Sequence, residues 1–154
     1  ALGLGLMSSQ SARMKVARGQ AQAVQAKALS EAAWEDVRVK LGKDILFPNL
    51  VDGQTFFAYS EDVYSDLGSG REELVGTYTV IIDTTLSSLS RQSDNLADPT
   101  NFNIPRGIYQ VICIGKVGSR TEAPIAERVM TYELVMDGST NSFQVIRITD
   151  SGSI

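Results

Sequence analysis

Five carboxylates stand close together in one stretch of the chain: Glu61, Asp62, Asp66, Glu72 and Glu73. Two carboxyl groups facing each other across a cleft could divide acid and base roles between them. Nothing in this pattern places two of them opposite each other. Their spacing also departs from that of a twelve-residue calcium loop. They read as solvated loop acids. The chain has no histidine, which removes His-dependent triads, imidazole bases and His-ligated zinc. Its one cysteine, Cys113, lies in the apolar run VICIG. A reactive thiol needs cationic neighbours, and Lys116, three residues along a strand, is about 10 Å away. A buried, inert thiol is expected. No catalytic residue, metal site or cofactor is expected, and the chain is not read as an enzyme.

Those side chains must be positioned by something, and composition bounds what. Hydrophobic residues make up 43% of 154 and charged residues 21%. That is enough apolar material for a real core and argues against intrinsic disorder. A net charge of -4 argues against a general nucleic-acid binder.

The first forty residues read as one helix, from about Leu2 to Leu41, with no proline before Pro48. At 1.5 Å per residue it would be about 60 Å long. A domain of this size has a radius of gyration of about 15 Å, so part of the helix must project. Small residues recur on one stripe, Ala17, Ala21, Val24, Ala28 and Ala32, with Ala12, Val16, Ala23, Ala26 and Ala33 nearby. Small side chains allow helices to approach closely. Trp34, Val37 and Leu41 are spaced three and four apart, the pattern of a helix lying on a sheet. Gly42 follows as a natural stop. The expected division is therefore 1–42, a helix with a protruding half and a docked half, and 43–154, a sheet domain.

Within 43–154, the stretch 43–75 reads as a long connection, with turn residues between apolar anchors. Four segments read as strands: 76–86, 107–117, 125–136 and 141–150. Their alternation and short connections predict an antiparallel meander of four. The stretch 87–106 is polar, contains Pro99 and Pro105, and reads as a surface excursion. The expected fold class is α+β, a roll in which the C-terminal half of the helix packs on a four-stranded antiparallel sheet.

The segments ALGLGLMSS and AKALSEAAWEDV, together with the strand pair IYQVICIGKVGSRTEAPIAERVMTYELVM, carry a resemblance. In them the chain resembles the type IV pilins and the pseudopilins of type II secretion, and the match is nearest to minor pilins. The resemblance implies a structural subunit of a pilus-like filament. Leu4, Ala17, Ala21, Val24 and Ala28 would pack against neighbouring pilin-like helices, and Trp34, Val37 and Leu41 would dock the helix on the sheet. Before assembly an apolar segment of about 20 residues would hold the subunit in the inner membrane. After assembly it would stand in a periplasmic or extracellular filament of the bacterial envelope. The family begins with an N-methylated residue and carries Glu at its fifth position. Here Gly5 stands fifth, and about seven apolar residues precede Ser8. The resemblance therefore implies about fifteen further residues upstream. Arg13, Lys15 and Arg18 would meet neighbouring acids or lipid headgroups, or simply solvent. A second reading is a subunit of another surface or virion assembly that uses the long helix for packing.

Overall fold

The structure is a computed structural model. It describes residues 2–48, 54–68, 70–91, 103–118, 123–137, 140 and 142–153. Side chains are described from Gln20 onward, apart from those at 67, 88–91, 103–105 and 153.

One helix, α1 (Leu2–Lys43), precedes six strands: β1 (Phe56–Gly68), β2 (Arg71–Asp83), β3 (Ser87–Arg91), β4 (Asn103–Val117), β5 (Ala126–Asp137) and β6 (Ser142–Ser153). The helix is rich in Ala, Gln, Lys and Leu, all strong helix formers. Pairs one turn apart support it: Lys27 with Glu31 at 4.0 Å and Glu35 with Arg38 at 2.7 Å on its exposed side, and Asp36 with Lys40 at 2.6 Å where it is half-buried. Lys40 and Lys43 lie in its last turn, where the helix dipole favours cations.

The strands form a single antiparallel sheet in the order β1-β2-β4-β5-β6, with β3 also paired to β4. This overturns the expected four-stranded sheet. The stretch 43–75, read as a long connection, holds β1 and the start of β2. The excursion 87–106 holds β3 and the start of β4. The physical reason is clearest in β1. It is an edge strand whose Glu61, Asp62 and Asp66 are exposed. Charged residues on an edge keep it from pairing with other chains, and they also make it look like a loop. β3 is short, and it pairs with the first part of β4 beyond the end of β2. At that break, three residues (84–86) face two (108 and 109), a one-residue bulge. Thr84 closes it by donating from its backbone N–H and Oγ1 to the carbonyl of Thr55, at 2.8 and 3.1 Å.

One face of the sheet carries the core. Tyr78, Val80 and Ile82 of β2, Tyr109, Val111 and Cys113 of β4, and Tyr132, Leu134 and Met136 of β5 are all buried. They alternate along each strand, as the pleat requires. Ala33, Val37 and Leu41 of α1 lie in the same cluster, and Ala26 and Leu29 form a smaller one with Val117. Two glycines let the helix come this close. A Cβ on Gly115 would lie 2.1 Å from the Ala26 carbonyl oxygen and 2.6 Å from the Ser30 nitrogen. One on Gly76 would lie 2.8 Å from Leu29 Cδ1. At this crossing buried Ser30 donates from Oγ to the Cys113 carbonyl at 2.8 Å, which satisfies a hydroxyl that would be costly to bury alone.

Candidate functional site

The helix presents two faces with different chemistry. One is sealed against the sheet: Ala26, Leu29, Ser30, Ala33, Val37 and Leu41 are all buried. Apart from the adjacent pair Leu29 and Ser30, these positions follow one another at three and four residues, a single helical stripe. Val37 and Leu41 thus lie in the core, and Trp34 lies beside it. The Trp34 ring stacks on Tyr132 with centroids 4.1 Å apart and planes 6° apart, and it meets Phe143 edge-on at 6.5 Å. Each such ring pair contributes about 0.5–1.5 kcal/mol beyond its buried area.

The other face is open. Ala21 and Ala28 are exposed, and Val24 is 69% exposed. These three therefore do not touch the sheet. The side chains of Leu4 and Ala17 lie outside the described residues. Ala26, Leu29, Ser30 and Ala33 are docking residues that the sequence reading missed. Counting back from Leu41 in fours reaches Val37, Ala33 and Leu29, and that signal was present in the sequence.

A polar belt fastens the docked half at the β1 side. Asp36 Oδ2 accepts hydrogen bonds from Lys40 Nζ and from the Tyr59 hydroxyl, both at 2.6 Å. The Lys40 ammonium also sits over the Tyr59 ring, 4.1 Å from its centroid. Partial burial works against the charge on Asp36, but the hydrogen bonds from Lys40 and Tyr59 and the charge of Lys40 outweigh it. The carboxyl is held below its usual range. Burial, and then the Asp36 bond, push the Tyr59 phenol well up. A carboxyl whose folded value is depressed stabilises the fold above its unfolded value, and that stability is lost as pH falls through the folded value. The protein should therefore lose stability on acidification below about pH 4. Asp36→Asn should weaken it at neutral pH and flatten that acid limb. Thermal melts of both proteins between pH 2 and 7 check this; parallel pH profiles would contradict the belt. On the other flank, Arg128 and Asp150 form an ion pair, with Nε to Oδ1 at 2.8 Å, and the Gly152 N–H adds a bond to Asp150 at 2.9 Å.

The carboxylates singled out in the sequence do not gather into one site, although the register sets Asp66 opposite Glu72 across β1 and β2. Glu61 pairs with Tyr78 and Asp62 with Thr77, so consecutive acids point to opposite faces of the sheet. Asp62 accepts from Thr77 Oγ1 at 2.9 Å, and Asp66 caps the Gly68 N–H at 2.8 Å. Among the described residues no group of three metal-ligating side chains comes together. Cys113 is fully buried, and burial pushes its thiol up to about 12, the state of an inert thiol. Among the described residues no helix is long and apolar enough to cross a membrane. No family model, no curated protein and no solved structure matches the chain.

Proposed function

We propose that the chain is a structural subunit of a type IV pilus-like filament, a minor pilin or pseudopilin. It assembles by packing its N-terminal helix against those of neighbouring pilin-like subunits and holds its sheet outward. The supporting observation is the mismatch between helix and sheet. α1 has 42 residues, about 63 Å at 1.5 Å each. The described side chains of α1 that are buried on the sheet lie within 26–41, a span of only about 24 Å. On this reading the rest of the helix, and the Ala21–Val24–Ala28 side that faces away from the sheet, is a surface for other helices. Small residues there permit close packing.

The test separates assembly from folding. Val24→Lys should leave the melting temperature within about 1 °C of the parent, because the side chain touches nothing in the core. In cells the same variant should enter surface or periplasmic filaments at less than about a tenth of the parental level, since the lysine must be desolvated in a helix bundle. Immunoblots of sheared filament fractions measure this. Parental incorporation would refute helix-driven assembly.

A further inference from the structure

Two elements reach past the sheet at the same end. β2 pairs with β4 only from Gly76 on, and β4 pairs with β5 only as far as Val117 opposite Ala126. β1 and β2 stay paired beyond that row, to Gly68 opposite Arg71, so 64–75 carries a two-stranded arm. Ser30 bonds the Cys113 carbonyl, and Ala26 clusters with Val117. Toward its N-terminus α1 therefore leaves the sheet at that same row. We propose that the arm of one copy of this chain docks, through its side chains, on the cationic N-terminal half of α1 in a second copy. Neither sheet is extended by the contact.

Charge names the occupant. From residue 1 to 30 the chain carries Arg13, Lys15, Arg18 and Lys27 and no acid. Counted back from Ala26 by four, four and three, the stripe that docks on the sheet continues through Gln22, Arg18 and Lys15. The stripe is mostly apolar over the sheet and turns cationic beyond it. The arm has the opposite sign, with Asp66, Glu72 and Glu73 against one base, Arg71.

The register shows how a cation would be received. Tyr64 pairs with Leu74 and Asp66 with Glu72, so Tyr64, Asp66 and Glu72 share one face of the arm. Like charges directly opposed across two strands are destabilising, and a cation set between Asp66 and Glu72 removes that repulsion. Tyr64 is 54% exposed and offers its ring to the same cation. Asp66, Glu72 and Glu73 are all exposed in the single chain. Among the described residues none of the three forms an ion pair.

The lengths agree. Asp66 and Glu72 stand three and four residues past the Val63–Gly76 pair, about 10 to 13 Å. Arg18 and Lys15 stand eight and eleven residues before Ala26, about 12 and 17 Å. Two copies side by side with parallel helices bring arm and stripe level. The Ala21–Val24–Ala28 side of the helix is not used, so the contact stands or falls apart from the helix-packing reading.

Charge reversal on the full chain tests it. Asp66→Lys with Glu72→Lys reverses the arm, and Lys15→Glu with Arg18→Glu reverses the helix stripe. Sedimentation velocity at high concentration and low salt follows association. Each reversed protein alone should associate about tenfold more weakly than the parent. An equimolar mixture of the two should recover most of the parental association, because reversed arms then meet reversed helices in other copies. Raising salt from about 0.05 to 0.5 M should weaken parental association several-fold, a readout that needs no variant to fold. Failure of the mixture to recover, with recovery when both reversals sit in one chain, would put the arm on its own helix and overturn the proposal. A parent that stays monomeric, association indifferent to salt, or reversed proteins that associate like the parent would also overturn it.

Discussion

Gly115→Val should be among the most damaging single changes in the protein. A Cβ there would lie 2.1 Å from the Ala26 carbonyl oxygen, 2.6 Å from the Ser30 nitrogen and 2.8 Å from Leu29 Cβ. Two of those atoms are helix backbone and cannot rotate away. Relief requires lifting α1 off β4, which would also break the buried Ser30 bond to the Cys113 carbonyl. Overpacking a well-packed site costs about 1–3 kcal/mol when side chains can adjust. Here backbone must move, so about 3 kcal/mol or more is expected. For a chain of this size that lowers the melting temperature by about 6–12 °C. Gly42→Ala is the control: nothing lies within 4 Å of its Cβ, and alanine is the better helix former by up to about 1 kcal/mol. Its melting temperature should hold or rise slightly. A Gly115→Val protein melting with the parent would contradict the close helix–sheet crossing.

Leu41→Ala should cost about 3 kcal/mol. The side chain is fully buried in the main core cluster. Truncating a buried leucine removes its transfer energy and leaves a cavity, about 2–5 kcal/mol in all. Val39→Ala, two residues earlier, should change stability by less than about 0.5 kcal/mol, because Val39 is 47% exposed on another side of the helix. Urea titrations of the two variants measure this directly. The Leu41 midpoint should fall with an unchanged slope, and the Val39 midpoint should stay. Equal midpoints would mean that the C-terminal half of α1 is not docked as described.

The contrast between these positions shows what was legible in the sequence. Trp34, Val37 and Leu41 are large, and their spacing announces a buried stripe. Ala26, Ser30 and Ala33 complete that stripe, but small residues look the same whether they meet a sheet, another helix or water. What decides their role is Gly115, across the interface and 85 positions beyond Ser30. Read alone, that glycine is one more position in the strand 107–117. In the fold it marks a close approach of backbones. The strands β2, β4, β5 and β6 announce themselves through alternating β-branched residues. β1 does not: its apolar face (Phe57, Tyr59, Val63) is interleaved with serine and acids, the chemistry of an edge. β3 gives too short a signal, and it makes sense only as the continuation of the β2 side of β4 past a bulge.

The helix face away from the sheet follows the same logic. Sequence spacing alone groups Ala21, Val24 and Ala28 as a stripe. The structure adds that the sheet leaves them uncovered. The proposal of a filament subunit rests on that uncovered length of helix and on the resemblance of its first residues to pilins.

The most direct test of that proposal is the native N-terminus, read by mass spectrometry of protein recovered from cells and compared with the 5′ end of the gene. The account predicts a short basic leader removed after glycine, an N-methylated first residue, and an apolar segment of about 20 residues with Glu at its fifth position running into α1. A native chain with no apolar segment ahead of Ser8 beyond the residues given would contradict it, and the helix would then belong to a different kind of assembly.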